Sequence, residues 1–249
     1  MLWRKMRLNW RYAGGEFAIV VLGVLAALWV ENWNSERQDR ALEVEYIESL
    51  LDDLDSDAES VERTLIRTKE IAGHDEMVLN AIEQQSIDAS PDDFAYAVAS
   101  TTRLTFPVVS RGTINDLMST GNLRIIQDEV VRTGISDYYT ALEWQSQWRE
   151  VWRQNQLNLT PIMPDIMDRK LRNVIVNQDG DIPWMDKNVS VTADDAQQIL
   201  MRLVEHATAY GAIENMYRVQ SLNYRYTLDM GRELEKLRTL LERYLITLN

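Results

Sequence analysis

The chain has 249 residues, a net charge of −13 and no cysteine. A chain this acidic has no electrostatic attraction for nucleic acid, and the absence of cysteine excludes disulfide bonds and thiolate metal sites. Glycine and proline are scarce, with ten and five residues respectively, and proline is absent from both ends of the chain. These features predict an all-α fold with long terminal helices.

An uncharged apolar run, Phe17 to Val30, lies near the N-terminus between Glu16 and Glu31. Its 14 residues make about 21 Å of helix, which is shorter than the hydrocarbon core of about 30 Å. We therefore predict a membrane anchor over residues 12–33, with Tyr12 and Trp33 at the two interfaces. The residues predicted to lie in the bilayer are Phe17, Ile19, Val20, Val21, Leu22, Val24, Leu25, Leu28 and Trp29.

The charges around this run predict its orientation. Residues 1–11 contain four basic side chains, whereas the long side begins with Glu31, Glu36 and Asp39. The positive-inside rule then predicts a cytoplasmic basic tail over residues 1–11 and an extracytoplasmic domain over residues 34–249. The expected location is a bacterial inner membrane with the bulk of the chain in the periplasm. Residues 17–249 carry a net charge of −16, so their field favours basic partners or cations.

Two other interpretations of the apolar run are weaker. A secretory signal peptide is suggested by the small-residue pattern at Val24-Leu25-Ala26, but the run stays apolar through Val30 and begins with Glu16. A buried helix of a soluble domain is disfavoured because the run has no polar face. The residues therefore favour an uncleaved anchor.

Two long amphipathic helices are predicted at the ends of the extracytoplasmic domain, over about 35–73 and about 208–248. The first carries a stripe in steps of three and four, namely Val44, Ile47, Leu51, Leu54, Ala58, Val61, Leu65, Thr68 and Ala72. The second carries Met230, Leu234, Leu237, Leu241, Tyr244 and Leu248, and is less regular at Gln220, Asn223 and Thr227. Lengthwise pairing of the two helices buries both stripes, so we predict a stalk that continues from the membrane.

The middle section, residues 74–207, contains several helix signals. Ser90 before Pro91 predicts a helix of about ten residues. Residues 113–119 predict a short helix ended by Gly121, and Asp128 predicts the start of a helix that runs to about residue 158. Pro161 and Pro164 are expected to break that helix. A short hairpin is an alternative to helix near residues 174–181, and Thr192 is expected to cap the next helix.

Candidate chemistry is sparse. His74 and His206 are the only histidines, and neither lies in a metal-binding pattern, so no metal, no cofactor and no enzymatic activity is predicted. Each histidine is expected to be a solvated helical side chain. The acidic run at residues 52–59 imitates half of an EF-hand loop, but Ala58 and Thr64 occupy positions that need glycine and glutamate. A solvated helix face is favoured, and such a face could also dock a basic partner.

An aromatic stripe is the most informative feature of the middle section. Trp144, Trp148 and Trp152 share one helix face, with Arg149 and Arg153 alongside and Tyr138 and Tyr139 about one turn before. The rings could stack on a ligand, bind a cation or form the centre of an interface. Core packing is favoured over a partner surface, and a partner surface over a small-molecule pocket.

Two blocks of sequence resemble a known family. The first is Gly15-Glu16-Phe-Ala-Ile-Val-Val-Leu-Gly-Val-Leu-Ala-Ala-Leu-Trp29 with Glu31-Asn-Trp-Asn34, and the second is Thr113-Ile-Asn-Asp-Leu-Met-Ser-Thr-Gly-Asn-Leu-Arg-Ile-Ile126 with Asp137-Tyr-Tyr139. Together they are similar to a bacterial family of single-pass membrane proteins with a domain of unknown function, over roughly residues 10 to 145. The resemblance implies a mostly helical membrane protein and no catalytic residue. The second block is either a docking loop or, as favoured here, a helix end at Gly121 followed by a buried turn.

These observations predict an interaction or scaffolding role in the bacterial envelope, with a protein partner or a second copy of the chain bound. The rival interpretation is a ligand-sensing helical bundle. A cytoplasmic tail of about a dozen residues cannot form an output domain, so a sensor would act through a partner membrane subunit. The sequence leaves a small-molecule ligand open.

Overall fold

The computed structural model describes residues 10–173 and 189–248, and all their side chains except those of residues 10–16, 18 and 145. All regular secondary structure in these two ranges is helical, which confirms the predicted all-α class. The hairpin prediction near residues 174–181 lies outside the described residues. The helices are α1 (Trp10–Gln84), α2 (Pro91–Ser100), α3 (Gly112–Ser119), α4 (Glu129–Leu159), α5 (Met163–Ile166), α6 (Ala193–Glu205) and α7 (Ala209–Leu248), with 3₁₀ turns at Asn122–Ile125, Thr160–Ile162 and Leu171–Asn173.

Helices α1 and α7 lie side by side in antiparallel orientation. Contacts along their length join Glu43 to Tyr244 at 2.5 Å, Asp55 to Arg238 at 2.6 Å and Glu83 to Tyr210 at 2.6 Å. The pairing begins at Arg40, whose guanidinium Nη2 donates to the carbonyl oxygen of Thr247 at 3.0 Å. Helices α2 and α3 pack against α1, and α4 packs against α7.

The buried seam of α1 differs from the predicted stripe. Ile47, Leu54, Val61 and Thr68 are buried as expected. Their predicted companions Val44, Leu51, Ala58, Leu65 and Ala72 are only half-buried. The fully buried seam instead alternates steps of four and three through Glu43, Ile47, Leu50, Leu54, Asp57, Val61, Thr64, Thr68, Ile71, Asp75 and Val78. The prediction missed seven of these eleven positions. Four of the seven, Glu43, Asp57, Thr64 and Asp75, are acidic or polar and were passed over because the predicted stripe followed apolar residues.

The buried side chains form two apolar cores separated along the helices. The core nearer the N-terminal end of α1 contains residues of α1, α3, α4 and the end of α7, and the other contains the end of α1 with α2, α5, α6 and the start of α7. Between them lies a layer of buried polar side chains, which we call the polar layer: Thr64, Thr68, Gln220, Asn223 and Thr227. Gln220, Asn223 and Thr227, which make the stripe of α7 irregular in the sequence, are therefore the residues that α7 contributes to this layer.

An extended segment, which we call the strap (residues 102–110), crosses the bundle beside the polar layer. Buried backbone groups need hydrogen-bond partners, and side chains of α1, α4 and α7 are the partners of the strap. On α7, the side-chain amides of Gln220 and Asn223 donate to the carbonyl oxygens of Arg103 and Thr105 at 2.7 and 2.8 Å. Further bonds run from Val108 N to Ser60 Oγ at 2.8 Å, from Ser110 N to Asp57 Oδ1 at 2.7 Å and from Gln156 Nε2 to Thr102 O at 2.7 Å.

Helix α1 does not end near Gly73, as predicted, but continues to Gln84. Its apolar seam carries on through Ile71 and Val78, and the packing of these side chains offsets the cost of about 1 kcal/mol for glycine within a helix. The helix ends where Gln85 adopts a left-handed φ of 51°. The amide of Ser86 then donates to the carbonyl oxygen of Ala81, which is the Schellman pattern formed without the usual glycine.

The predicted helix starts are found in the structure. Ser90 Oγ accepts a hydrogen bond from Asp93 N, Asp128 accepts from Val130 N and Val131 N, and Thr192 forms a capping box with Asp195. Pro161 and Pro164 follow the end of α4 at Leu159, and each sits at the start of a new helical turn. After α3, Gly121 has a left-handed φ of 73° and Ile126 is fully buried. The second resemblance block therefore ends a helix near Gly121, as favoured, but the turn Asn122–Ile125 that follows has no buried side chain, so the expected buried turn is wrong except at Ile126.

The N-terminal part of α1 projects away from the bundle. Every described side chain from Phe17 to Asp39 is exposed, including the large apolar ones. Among the residues described, however, none of the helices has a stretch long and apolar enough to cross a bilayer.

Candidate functional site

The tryptophan stripe of α4 passes from the surface into the core. Trp144 is 54% exposed, Trp148 is 38% exposed and Trp152 is 5% exposed. Core packing therefore describes Trp152, while Trp144 and Trp148 keep much of their surface in contact with solvent. Exposed aromatic rings held by a rigid helix are the side chains most enriched at the centres of protein interfaces.

Tyr226, on α7, lies at the centre of the tryptophan stripe. The centroid of its ring is 6.3 Å from that of Trp144, 6.4 Å from that of Trp148 and 5.2 Å from that of Trp152. The rings of Trp144 and Trp148 are 6.1 Å apart and nearly perpendicular, with an angle of 72°. We call Trp144, Trp148 and Tyr226 the aromatic corner, and Trp152 closes its inner side.

The strap supports the aromatic corner from beneath. Phe106 stacks on Trp152 with 6.0 Å between ring centroids and an angle of 12° between ring planes. The guanidinium of Arg149 lies over the Phe106 ring at 5.3 Å and donates to the carbonyl oxygen of Pro107 at 3.1 Å. Burial, and to a lesser degree the charge of Arg111, lowers the pKa of Arg149. Arg149 thus holds the strap against α4 and is already occupied by protein groups.

The other predicted arginine, Arg153, points elsewhere. It forms an exposed ion pair with Glu150 at 3.3 Å and makes no ring contact among the described interactions. Arg111 likewise pairs with Glu143 at 3.0 Å. Exposed pairs of this kind contribute little to stability, but they neutralise the two arginines locally.

Tyr138 and Tyr139 do not join the aromatic corner. Both pack in the core nearer the N-terminal end of α1, where the Tyr138 hydroxyl lies beside the buried Asp57 carboxylate. Burial, followed by the charge of Asp57, raises the pKa of Tyr138 above its usual range.

The acidic run is also divided: Asp52 and Asp55 are exposed on α1, whereas Asp57 is fully buried and holds the strap. The prediction of a solvated face is therefore wrong for Asp57.

Two buried carboxylates of the α1 seam have opposite environments. Glu43 Oε1 accepts hydrogen bonds from Tyr244 Oη at 2.5 Å and from Gln127 N at 2.7 Å. Asp75 has no partner among the described residues for either carboxylate oxygen, and burial raises its pKa to about 8. Burial therefore favours the protonated form of Asp75, which is less costly to bury than the carboxylate.

The two histidines also differ from each other. His74 Nδ1 lies 3.0 Å from Ser100 Oγ, and its ring meets Tyr96 edge-on at 5.2 Å, so the prediction of a solvated side chain is wrong for His74. His206 Nε2 lies 3.7 Å from an Asp165 oxygen near the surface. Over residues 10–173 and 189–248, no group of three or more His, Asp or Glu side chains is arranged to hold a metal ion. The expected lack of a cofactor stays a prediction.

Sequence reasoning missed Tyr226 and Phe106 because both come from segments distant from the tryptophans. Gly134, on the same helix as the tryptophans, indicated only that some neighbouring helix packs closely there, and nothing in the sequence identified α7 or Tyr226. In the structure, a Cβ placed on Gly134 would lie 2.7 Å from Leu240 of α7. Because α4 and α7 run antiparallel from that contact, Tyr226 of α7 lies beside Trp148 of α4.

No protein-family model, no curated protein and no solved structure matches this chain. The resemblance carried by the two sequence blocks therefore stays a prediction, and function has to be argued from the chain itself.

Proposed function

We propose that this protein is anchored in a bacterial inner membrane by the start of α1 and serves an interaction or scaffolding role on the periplasmic side. One observation carries the membrane assignment. Every described side chain from Phe17 to Val30 is exposed, although the run is apolar throughout. An apolar surface of this extent is unfavourable in water and is satisfied by lipid or by another protein.

The anchor proposed is residues 12–33, with the N-terminus in the cytoplasm. This span includes residues 12–16 and 18, whose side chains are not among those described. Tyr12 and Trp33 are proposed to lie at the interfaces. Arg37, which has its guanidinium 6.0 Å from the centre of the Trp33 ring, would lie among the headgroups.

The proposed interaction surface is the aromatic corner on α4 and α7. It supplies exposed rings on rigid helices, with ion pairs around the rim, which is the usual arrangement of an interface centre. The partner is a protein, either a different chain or a second copy of this one. No catalytic step and no cofactor form part of the proposal.

Membrane extraction tests the anchor. Leu22→Glu with Leu25→Glu places two charges in the apolar run, and we expect the variant to be released by alkaline carbonate while the natural chain stays with the membrane. Ile66→Glu is the control, because Ile66 is equally apolar and exposed but lies in the extracytoplasmic part of α1. Release of the natural chain, or activity of a reporter fused after residue 40 only in the cytoplasm, would contradict the proposed anchor or orientation.

Site-specific crosslinking tests the interaction surface. A photoreactive residue at position 148 should capture a discrete protein in membranes, whereas the same residue at position 66 should not. Double substitution Trp144→Ala/Trp148→Ala should abolish co-purification of that protein in mild detergent, and Val151→Ala should not. Equal capture from positions 148 and 66 would count against the aromatic corner.

A ligand-sensing bundle is the second candidate, favoured by a cavity of about 300 Å³ near the junction of α1 and α2, lined by Met77, Ile87, Phe94 and polar neighbours. This volume is at the lower limit for a small-molecule site. Saturable thermal stabilisation of the protein by a small molecule, removed by Met77→Trp, would favour the sensor over a pure scaffold.

A further inference from the structure

We propose that the aromatic corner binds the guanidinium group of an arginine presented by its protein partner. This inference rests on the proposed interaction role of the corner and names the chemistry that it recognises. It depends on the arrangement of three rings, on their exposure and on the charge of the chain.

The three rings of the corner form a nearly equilateral triangle. The centroid separations are 6.1 Å for Trp144 and Trp148, 6.3 Å for Trp144 and Tyr226, and 6.4 Å for Trp148 and Tyr226. A cation over the centre of such a triangle lies within about 6 Å of all three centroids, which is the range of cation–π attraction. A cation in that position is within range of all three rings and is attracted by those whose faces it meets.

The ring planes of Trp144 and Trp148 meet at a steep angle, as two adjoining walls of a cation site would. Trp148 and Tyr226 are close to parallel, with an angle of 28°, whereas Trp144 is inclined by 72° to Trp148 and by 49° to Tyr226. Trp152 and Phe106 fill the inner side, so a ligand has to approach from solvent. On this outer side Trp144 and Trp148 are partly exposed, whereas Tyr226 is half-buried.

The net charge of the chain favours a cationic partner at long range. The chain carries a net charge of −13, so its field attracts basic groups. The nearby arginines do not compete for the aromatic corner, because Arg149 is engaged by Phe106 and Pro107, and Arg153 is paired with Glu150.

Arginine fits the corner better than lysine. The planar guanidinium stacks on aromatic faces and is more weakly hydrated than an ammonium group, so it loses less on leaving water. The chain already uses the same contact internally, with Arg103 over Tyr96 at 5.8 Å and Arg149 over Phe106 at 5.3 Å.

The test compares two probes that differ mainly in charge. N-acetyl-arginine amide carries a guanidinium, and N-acetyl-citrulline amide replaces it with a neutral urea group of nearly the same shape. The full chain is labelled with 5-fluorotryptophan in a maltoside detergent, since choline headgroups would compete for the aromatic corner. Trp144→Phe and Trp148→Phe assign the two fluorine resonances.

We expect the arginine probe to shift the resonances of Trp144 and Trp148 saturably, with an affinity at least about two- to fivefold above that of the citrulline probe, the effect of one exposed cation–π contact. Trp148→Leu should remove this preference, whereas Val151→Ala, on the same helix outside the triangle, should keep it. Melting temperatures of both variants establish whether each is folded. If Trp148→Leu does not fold, Trp148→Phe replaces it, because that variant keeps an aromatic ring.

Equal binding of the two probes, or no shift of either resonance, would overturn the inference. Neither result would affect the position-dependent crosslink that tests the interaction surface. Loss of that crosslink with the arginine preference intact would instead mean that the corner binds cations without being the docking site.

Discussion

Asn223, in the middle of helix α7, donates its side-chain amide to the carbonyl oxygen of Thr105 in the strap at 2.8 Å. Asn223 is buried, so the strap carbonyl is satisfied by a side chain in a place that water does not reach. The same amide lies 3.5 Å from Thr68 of α1. One residue therefore joins both long helices and the strap, which explains why a polar side chain occupies an otherwise apolar seam position.

Asn223→Leu should destabilise the protein by about 1–3 kcal/mol, because it leaves the Thr105 carbonyl buried without a partner. Urea denaturation measures the loss, and amide exchange at Val108 and Ser110 should increase. Leu222→Ala is the matched control, since Leu222 is the exposed neighbour on the same helix. Unchanged stability of Asn223→Leu would mean that the strap is not held by this bond.

Asp75→Asn should stabilise the protein at neutral pH and have little effect near pH 4. The pKa of Asp75 is about 8 in the folded protein and has an ordinary value of 3.8. Between these values the native state binds more protons than the unfolded chain, so stability falls as pH rises through this window. Removing the titration should recover about 3–4 kcal/mol at pH 7.

Denaturation of both forms at several pH values between 4 and 8 measures this difference. Glu76→Gln, at the exposed neighbouring position, should leave the pH profile unchanged. A constant difference between Asp75→Asn and the natural chain across the window would show that Asp75 does not titrate there.

Tyr244→Phe should cost about 1–2 kcal/mol, because Glu43 loses a hydrogen bond while staying buried. Burial, followed by the bond to Glu43, raises the pKa of Tyr244. Tyr224→Phe is the control on the same helix, and it should be nearly neutral. Thermal denaturation compares the two, and equal melting temperatures would argue against a structural role for the Glu43 bond.

Tyr226→Ala should destabilise the protein by about 2–3 kcal/mol, somewhat less than truncation of a fully buried aromatic ring. Its ring contacts all three tryptophans of the stripe, so their emission should also move to longer wavelength. Tyr226→Phe keeps the ring and should preserve both stability and emission. If Tyr226→Ala left the emission unchanged, the three tryptophans would not depend on Tyr226 for their packing.

Two glycines should respond oppositely to alanine. At Gly73 an added Cβ meets nothing within 4 Å, so Gly73→Ala should stabilise the interior of α1 by about 0.5–1 kcal/mol. At Gly134 the added Cβ would lie 2.7 Å from Leu240 Cδ2 and 3.8 Å from Leu237, so Gly134→Ala should destabilise the contact between α4 and α7. Chemical denaturation of both variants checks the signs, and stabilisation by Gly134→Ala would mean that Leu240 moves freely.

Local signals in the sequence located much of the fold. Ser90, Asp128 and Thr192 each cap the helix that follows them, because their side chains bond to backbone amides only a few residues away. The end of α1 was missed because the Schellman turn uses Gln85, and the chain offers no local signal for a left-handed glutamine.

The seam of α1 was predicted only in part, for a non-local reason. Asp57 and Glu43 read as solvated acids in a helix, and only the strap and Tyr244 make their burial favourable. The aromatic corner was also predicted only in part. The sequence shows that its tryptophans share a face of α4, whereas Tyr226 joins them through the packing of a helix more than 70 residues further along the chain.

The buried seam of α1 repeats every 3.5 residues from Glu43 to Val78, whereas an undistorted helix has 3.6 residues per turn. That mismatch rotates a straight seam by about 20° per heptad, so α1 and α7 must wind around each other as a left-handed supercoil to stay in contact. The number of residues between the base of α1 and the bundle then sets the direction in which the aromatic corner faces, viewed down the long axis. Each residue inserted between Trp33 and Arg40 would turn the whole body by about 100° relative to the base of α1.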